Sequence, residues 1–378
     1  MTNVVIAGYA RSPFTFARKG GLAEIRPDEI ASQVVRGLIE GSGADSDDLE
    51  DVIMGCAFPE GEQGDNVARL VGFLSELPVT AAGTTVNRFC GSSMQSIHMA
   101  AGAIKMNAGD SFVCAGIESM SRVPMGGYNF LPHPGLAEYY PEAFVAMGIT
   151  AENLAKKYEI GREEQQEFAV ASHAKAHSAQ TDGRLEDEIV PIVFGNIRVG
   201  ADGCIRPGTN QEVLGSLEPA FDVDGTVTAG TSSPLTDGGS SVLVCSEDYA
   251  DEHGLEKMAR IRGIGVSGCA PEIMGIGPVE ASRKALERAG LAIDDIDVIE
   301  LNEAFAAQSL AVIKEAGFDQ EKVNLDGGAI AIGHPLGASG ARITGKAASI
   351  MRREGKDLAL ATMCIGGGQG IATVLEAC

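Results

Sequence analysis

The chain has 378 residues, a formal net charge of −23, 44% hydrophobic residues, 49 glycines and no tryptophan. This length exceeds what one hydrophobic core usually supports, so at least two packed units are expected. The acidic balance argues against proteins that coat nucleic acid or anionic membranes, because both functions need basic patches.

The eight cysteines form no CxxC pair and have no histidine at metal-ligand spacing. This spacing argues against a zinc site and against a disulfide framework. No apolar stretch reaches membrane-spanning length, and the opening "MTNVVIAGYARSPF" has no leader pattern. Together these features predict a reduced, cytoplasmic protein.

Three short apolar runs in the first part of the chain predict strands at 4–8, 51–55 and 111–116. A helix is predicted at 27–43, where helical spacing follows an acidic first turn and ends at a glycine. Residues 119–236 are less regular, with a loop rich in proline, glycine and aromatic residues before two charged amphipathic helices. An insertion of this length predicts a lid or a ligand-binding element.

The last part of the chain returns to alternating elements. Strands are predicted at 258–268, 297–301 and 357–366, and a helix at 278–290 begins with a proline and ends at a glycine. Such alternation predicts α/β units with mostly parallel sheets covered by helices.

An internal repeat relates the two α/β regions. The tripeptide DVI at 51–53 recurs at 297–299, and the same shift of 246 residues aligns "GSSMQSIHMAAGAI" (91–104) with "GASGARITGKAASI" (337–350). Five of these fourteen positions are identical. Two stretches that share one shift predict two similar halves whose equivalent strand ends face each other.

The stretch "VNRFCGSSMQS" (86–96) contains Cys90 where an apolar helical pattern begins. An intracellular cysteine is ordinarily a small buried hydrophobe. At a helix N-terminus, however, free amides and the helix dipole lower a thiol pKa, which predicts a nucleophile. His334 precedes the helix that matches the one after Cys90, so we expect it to project at the same level from the other half. Cys364 is either a buried strand cysteine or part of an oxyanion site with the glycines that follow it.

Four motifs carry a family resemblance. "NRFCGSSMQS", "NEAFAAQ", "GGAIAIGHPLGASGAR" and "CIGGGQG", in this order and at these separations, closely resemble the thiolase family, and the similarity covers essentially the whole chain. The resemblance implies an α/β thiolase fold, in which two βαβαβαββ halves form a five-layered αβαβα core with an inserted loop domain. It assigns residues 1–120 and 237–265 to the N-terminal half, 121–236 to a CoA-binding loop domain, and 266–378 to the C-terminal half.

The resemblance also implies roles for the motif residues. Cys90 would become acylated, His334 would activate it, and Cys364 would act as the acid/base. Asn302 would hold a water that, with His334, stabilises an enolate oxygen, and the N–H groups of Cys90 and Gly366 would form a second oxyanion hole. The implied reaction is ping-pong thiolysis of 3-ketoacyl-CoA to acetyl-CoA and a shortened acyl-CoA. No metal and no bound cofactor are implied, and coenzyme A is a cosubstrate.

The segments "CIRPG" and "VTAGTSSPLTDGG" resemble the family's CoA-binding segments. One group of residues is implied to hold CoA, with an arginine near the nucleotide and small residues along the pantetheine arm, and a second group is implied to line the thioester tunnel. The first group is Arg206, Ala229, Gly230 and Ser233, and the second is Met147, Phe221, Leu235, Met274 and Phe305.

Several motifs look more like the degradative 3-ketoacyl-CoA thiolases of fatty acid β-oxidation than like the biosynthetic acetoacetyl-CoA thiolases, which usually carry histidine at the position of Ala146. We therefore expect an acetyl-CoA C-acyltransferase that is a homodimer or homotetramer, and a hydratase/dehydrogenase partner subunit is a further expectation by analogy. A biosynthetic acetoacetyl-CoA thiolase and a noncatalytic acyl-CoA or lipid carrier with this fold are the alternatives.

Two other enzyme classes fit less well. A β-ketoacyl synthase would share the fold, but it lacks a second cysteine corresponding to Cys364. The sequence "GIGVSG" (263–268) formally satisfies the dinucleotide-binding pattern GxGxxG. Prolines and glycines at 271–278 interrupt the helix that should receive a pyrophosphate, so NAD binding is not expected.

Overall fold

A computed structural model describes residues 2–378 and gives a mixed α/β fold. Its strands are β1 Val4–Arg11, β2 Thr15–Phe16, β3 Asp51–Gly55, β4 Ala82–Val86, β5 Ser111–Ser119, β6 Ile192–Phe194, β7 Ile197–Val199, β8 Thr236–Ser246, β9 Ala259–Gly268, β10 Val298–Leu301, β11 Leu358–Ile365 and β12 Gln369–Glu376. Its helices are α1 Pro27–Ser42, α2 Val67–Leu74, α3 Ser92–Lys105, α4 Pro134–Tyr139, α5 Met147–Tyr158, α6 Arg162–Thr181, α7 Gln211–Gly215, α8 Glu247–Glu252, α9 Gly277–Ala289, α10 Ala306–Ala316, α11 Ala329–Ile332 and α12 Ser339–Glu354. None of the helices in this described range is long and apolar enough to cross a membrane.

One large sheet runs in the order β10-β11-β12-β9-β1-β8-β5-β3-β4, and β2 pairs with β8. Its two regions meet between β1 and β9, where only two residue pairs are in register, Val5 with Arg260 and Ile6 with Ala259. Parallel pairing is confined to β3 with β4, β3 with β5, and β10 with β11. The prediction of mostly parallel sheets is therefore wrong. Most of the antiparallel pairs join strands that are far apart in the sequence, namely β1 with β8, β1 with β9, β5 with β8, and β9 with β12. One further antiparallel pair is a hairpin, since β11 and β12 are joined by a short turn in which Gly367 and Gly368 have φ of 76° and 80°.

Helices separate the sheet regions into layers. Helices α1 and α2 pack on one outer face, α3 and α12 lie between the two sheet regions, and α9 and α10 cover the other outer face. Each layer boundary is an apolar cluster of mainly aliphatic side chains, as close packing of helices on sheets requires. The predicted five-layered αβαβα core is confirmed.

The internal repeat corresponds to equivalent elements in the two regions. Adding 246 to residues 51–55 of β3 gives 297–301, which covers β10, and the same shift carries α3 onto α12. The starts of these two helices are in close contact, because a Cβ at Gly340 would come within 2.4 Å of the backbone nitrogen of Met94. The loops that lead into α3 and α12 are thereby brought to the same part of the molecule.

The GxGxxG sequence lies within β9 rather than in a turn before a helix. A Cβ at Gly263 would lie 2.4 Å from the carbonyl oxygen of Ala285, and one at Gly265 would lie 2.2 Å from that of Ala281. Glycine is needed at both positions because α9 packs directly on the strand.

The insertion contains α5 and α6, which match the two predicted charged helices, and the small β6–β7 hairpin. Strand β9 pairs over eight residues with β12 and over two with β1. The predicted border at residue 265 therefore falls inside β9, and the limits of the three sequence segments stay a prediction.

A buried ion network ties the insertion to both halves. Arg11 of β1 pairs with Glu188 and Asp202 of the insertion, each at 2.7 Å. Lys346 of α12 pairs with Glu188 at 3.0 Å and with Asp326 at 2.8 Å. Removing one partner of such a network leaves an uncompensated buried charge, so it fixes how the three parts pack.

Candidate active site

Cys90 follows a strained turn before α3. Phe89 has φ of 43°, a left-handed conformation that is unfavourable for a bulky side chain. Asn87 holds this turn, because its Oδ1 accepts the Phe89 N–H at 2.9 Å and its Nδ2 donates to the carbonyl of Ala57 at 3.0 Å. Cys90 is left partly exposed, two residues before the helix begins.

The pKa of the Cys90 thiol is shifted in the direction opposite to the one that the sequence predicts. Burial, with a smaller contribution from the charge of Glu118, raises the pKa of this thiol to about 11, although the backbone N–H of Gly366 acts in the opposite direction. The prediction that the helix start lowers this pKa is wrong for the resting site, because desolvation of the thiolate outweighs the amide and dipole contributions. Cys90 is therefore a neutral thiol near pH 7 and needs a base to become a nucleophile.

His334 is the predicted base. Its Nδ1 lies 2.6 Å from the Oγ of Ser339, which itself donates to the carbonyl of Pro335 at 3.3 Å, so Nδ1 carries the proton. Nε2 is left as an acceptor and lies 3.3 Å from the Nδ2 of Asn302. Burial, followed by the charge of Arg342, lowers the pKa of His334 to about 3 and keeps the ring neutral.

The loops that hold Cys90 and His334 pack against each other. The Ala341 N–H of α12 donates to the Oγ of Ser93 of α3 at 2.8 Å. Leu336, two residues after His334, belongs to the same small apolar cluster as Cys90. No hydrogen bond within residues 2–378 joins Cys90 to His334 directly, so proton transfer between them requires a tighter arrangement than the resting one.

Cys364 lies near the end of β11, next to the same site. Burial, and then the charge of Cys90, raises the pKa of the Cys364 thiol well above its ordinary value. Cys364 shares an apolar cluster with Met147, Met274 and Phe305, three of the predicted tunnel residues. The structure thus brings the second cysteine next to both the first cysteine and the predicted acyl-binding surface.

The remaining predicted tunnel residues divide into two places. Phe221 packs on Phe305 with ring centroids 5.8 Å apart and planes at 83°, and so extends the Cys364 cluster. Leu235 is 45% exposed and its carbonyl accepts the Ala17 N–H at 2.8 Å, outside that cluster.

Of the predicted CoA-binding residues, Ala229, Gly230 and Ser233 lie near Phe305. Ala229 and Gly230 form a 3₁₀ turn whose first residues are capped by Thr228, and the Ser233 N–H donates to the carbonyl of Ala304 at 3.0 Å, beside Phe305.

Arg206 lies apart from this turn. Its guanidinium stacks over the ring of Phe16 at 5.0 Å, and Phe16 pairs with Thr236 in β8, next to Leu235. The binding roles of these residues stay predictions.

Sequence reasoning missed the residues that hold His334 in place. Ser339 fixes the ring, and the Oγ1 of Thr236 accepts the His334 N–H at 3.0 Å. The repeat contained a signal for the first of these, because Ser339 aligns with Ser93 under the shift of 246 and is one of the five identities. No local pattern marks Thr236, which reaches His334 only through the fold.

The site combines the Cys90 thiol before α3, the neutral His334 imidazole before α12 and the Cys364 thiol near the end of β11. These groups are suited to an enzyme that transfers acyl groups through a cysteine. The family models described as "Thiolase, N-terminal domain" and "Thiolase, C-terminal domain" match residues 4–248 and 255–377. The chain therefore belongs to the thiolase family.

Relatives in this family match over their whole length. The chain is 46% identical over 391 residues to the 3-ketoacyl-CoA thiolase of Bacillus subtilis (strain 168) and 50% identical over 387 residues to that of Aliivibrio salmonicida (strain LFI1238), with 100% of each chain covered. A crystal structure of human mitochondrial 3-ketoacyl-CoA thiolase in complex with CoA has a TM-score of 0.93 at 37% identity, covering 100% of this chain and 98% of that one. The predicted family and fold are confirmed.

Proposed function

We propose that the chain is an acetyl-CoA C-acyltransferase, which cleaves 3-ketoacyl-CoA with CoA to acetyl-CoA and an acyl-CoA two carbons shorter, in fatty acid β-oxidation. Its relatives named above carry the name of this activity. The observation that carries the proposal is that the segments after Cys90 and Cys364 are in contact, since a Cβ at Gly91 would lie 2.5 Å from the Cδ1 of Ile365. The Gly366 N–H, one residue further on, acts to lower the pKa of the Cys90 thiol. Two thiols and an amide donor thus surround one reacting carbon.

In the first half-reaction, the Cys90 sulfur attacks the C3 carbonyl carbon of the substrate while Nε2 of His334 takes the thiol proton. The tetrahedral adduct collapses by breaking the C2–C3 bond, and the electron pair goes to the carbanion of acetyl-CoA. Cys364 gives its proton to that carbanion and becomes a thiolate. The shortened acyl group remains on Cys90 as a thioester.

In the second half-reaction, the Cys364 thiolate takes the proton from the thiol of incoming CoA, and the CoA sulfur attacks the acyl-cysteine. The Cys90 sulfur leaves and recovers its proton from the His334 imidazolium, so all three groups return to their starting state. Acetyl-CoA departs before CoA reacts, which gives ping-pong kinetics.

Two sets of donors stabilise the oxyanions in this scheme. The N–H groups of Cys90 and Gly366 serve the tetrahedral adducts at the acyl carbon. Asn302 and His334 serve the enolate oxygen, and the Oδ1 of Asn302 is buried without a hydrogen-bond partner among the described residues. An orphan acceptor at this position supports a bound water that donates one hydrogen bond to this Oδ1 and the other to the enolate oxygen.

CoA is proposed to bind along the insertion as cosubstrate. Ala229, Gly230 and Ser233 would contact the pantetheine arm, and Arg206 would contact the nucleotide end. Cations at this end would offset the net charge of −23, which repels an anionic ligand at long range.

Chain length is proposed to be set at the start of α5. Ala146 is the N-cap of α5 and directly precedes Met147, which belongs to the Cys364 cluster. The small side chain of Ala146 leaves room for a longer alkyl chain. The biosynthetic alternative, a class that usually carries histidine at this position, would favour a four-carbon substrate.

A homodimer is the proposed assembly. Strand β4 is at the edge of the sheet and, within the described residues, pairs only with β3. Exposed apolar side chains surround it, from α2 and the following loop: Leu70, Phe73, Leu74 and Val79. An unpaired edge beside an apolar patch is a template for pairing with a second chain. A homotetramer and a hydratase/dehydrogenase partner are the larger assemblies that a mass measurement distinguishes, and the cytoplasmic location stays a prediction.

The test is thiolysis of 3-ketoacyl-CoA substrates of four, eight and twelve carbons at saturating CoA, followed by release of acetyl-CoA. Since each buried methylene contributes about 0.8 kcal/mol, kcat/KM should rise several-fold per two carbons until the tunnel is full. Ala146→His should reduce this preference, and Ala108→His, at an exposed alanine after α3, should leave it unchanged. A steep fall from four carbons upward would favour the acetoacetyl-CoA alternative. Binding of acyl-CoA without turnover would favour the carrier.

A further inference from the structure

Glu118 is a buried acid that the proposed mechanism does not use. It lies in β5, is 1% exposed, and forms no ion pair within residues 2–378. A carboxylate buried without a cation must be stabilised by hydrogen bonds. The groups that supply these bonds come from loops far apart in the sequence.

One set of bonds leads to the nucleophile. The Ala57 N–H donates to Oε2 of Glu118 at 2.8 Å, and the Phe58 N–H donates to Oε1 at 3.2 Å. The carbonyl of Ala57 accepts from Asn87, which in turn holds the strained residue Phe89 next to Cys90. Glu118 is thus joined to the Cys90 turn through one peptide group and one side chain.

The other bond leads to the base. Oε2 of Glu118, the oxygen that binds Ala57, also accepts the Gly337 N–H at 2.9 Å, three residues after His334. A Cβ at Gly337 would lie 2.8 Å from the Cα of Cys56 and 2.9 Å from this oxygen, so a larger residue would push the His334 loop away. One carboxylate oxygen therefore binds both loops.

We propose that Glu118 is a positioning residue that sets the Cys90 turn and the His334 loop relative to each other. This role rests on the proposed function, because it matters only if His334 takes the proton of Cys90. The two residues have no direct hydrogen bond in the resting site, so their separation depends on the groups that hold the two loops. A misplacement of about 1 Å between reacting groups can cost about 10²-fold in rate.

The chemistry requires an acid rather than an amide. Every polar group that faces the carboxylate is a donor, since Gln63 donates its Nε2 to Oε1 at 2.8 Å and the Cys56 thiol lies 3.7 Å from the same oxygen. Glu118→Gln keeps the volume but turns an NH₂ group toward donors on one side. Either the pair of bonds to Ala57 and Gly337 or the bonds on the Oε1 side are then lost.

The experiment measures the rate at which a saturated acyl-CoA acylates the protein, by rapid quenching and intact mass. Glu118→Gln should slow acylation about 10²-fold while the acyl-CoA concentration for half-maximal rate changes less than about three-fold. Glu188→Gln is the matched control, because it also disturbs a buried carboxylate but one paired with Arg11 and Lys346. It should lower the Tm and leave acylation within about three-fold of wild type.

A second background separates positioning from general damage. The double variant His334→Ala/Glu118→Gln should be acylated less than about three-fold more slowly than His334→Ala alone, because the effect of Glu118 acts through His334. The proposal would be overturned if Glu118→Gln were acylated at the wild-type rate. It would also be overturned if Glu118→Gln slowed acylation as much in the His334→Ala protein as in the wild-type background. If wild type itself is not acylated, the proposed function fails instead. Should Glu118→Gln not fold, Glu118→Asp takes its place with the same expected results, because its shorter side chain cannot bind both loops.

Discussion

The two halves of the core place equivalent helices at the centre of the molecule but equip them differently. Helix α3 follows a strained, partly exposed turn with Cys90, whereas α12 follows a buried loop with His334. Helix α12 also buries Arg342 and Lys346 in ion pairs, while the buried side chains of α3 include no cation. The shared strand–helix unit thus fixes where helices begin, and the side chains at those starts determine the chemistry.

The largest effect should come from the first half. Cys90→Ser replaces the thiol by a hydroxyl of far higher pKa, so we expect thiolysis to fall by about 10⁴-fold or more, with the fold intact. Cys114→Ser is the control, because Cys114 is a buried cysteine of β5 in the same half. The steady-state thiolysis rate and the Tm are measured for both variants. Thiolysis by Cys90→Ser at a tenth of the wild-type rate would mean that the nucleophile lies elsewhere.

The second half should show a different loss. Cys364→Ala removes the proposed proton donor to the acetyl-CoA carbanion, so carbon–carbon cleavage should fall by about 10³-fold. Acylation by a saturated acyl-CoA needs no carbanion and should continue, because in the proposed mechanism it depends on Cys90 and His334. Both rates are measured on the same preparation. Cleavage at nearly the wild-type rate would assign the acid/base role to another group.

The buried cation of α12 predicts a change in stability. Nη1 of Arg342 pairs with Glu300 at 2.7 Å, and both side chains are buried. Burial raises the pKa of Glu300 to about 7 even beside Arg342, so in Arg342→Met this carboxyl should be neutral and lack its partner. The loss of the partner should lower the free energy of unfolding by about 2–3 kcal/mol. The double variant Arg342→Met/Glu300→Leu should recover most of this loss, since both polar groups are gone. Chemical denaturation measures the free energy of unfolding of wild type and both variants. Equal losses in the single and double variants would mean that the unpaired Glu300 carboxyl is not the cause of the loss.

Each half also buries a neutral histidine, and the smallest effect concerns the one on α3. Burial, followed by the charge of Arg88, lowers the pKa of His98 to about 3, while its Nε2 lies 2.8 Å from the Oγ1 of Thr373. The unfolded chain therefore binds a proton between pH 6.5 and 3 that the folded chain does not. The contribution of His98 is complete above pH 6.5 and is lost by about 1.4 kcal/mol per pH unit below it.

His98→Gln should accordingly lose less stability than wild type on acidification. Chemical denaturation at pH 7, 6 and 5 measures the difference in slope, and exposed His177→Gln is the control. Parallel curves for wild type and His98→Gln would mean that His98 is protonated in the folded protein near its ordinary pKa.

Sequence patterns predicted the elements with strong local signals. The runs at 51–55 and 111–116 became β3 and β5, and the repeat predicted that the starts of α3 and α12 come together. Strand β8 was not predicted, because its first residues "TDGGSS" are small and polar and its burial comes from neighbours on both sides. The order of the strands and their antiparallel pairing depend on long-range packing that periodicity does not contain.

In the candidate site, too, the residues with a local sequence signal were predicted and the effects of long-range packing were not. Its motif residues were found through quoted motifs, but the direction of the Cys90 pKa shift depends on desolvation by groups from both halves. Glu118 was missed for a related reason. Its partners Ala57 and Gly337 are separated by most of the chain, so only the folded structure reveals that one carboxylate oxygen binds both.

The central claim is that the first half holds the acyl group while the second half supplies the base and the acid. It is tested most directly by incubating wild type and Cys364→Ala with a saturated acyl-CoA, digesting the protein at low pH, and locating the acyl group by peptide mass spectrometry. We predict one acyl group, on the peptide that contains Cys90, in both proteins. An acyl group on Cys364 in wild type, or no acyl group on Cys90 in either protein, would contradict this division between the halves.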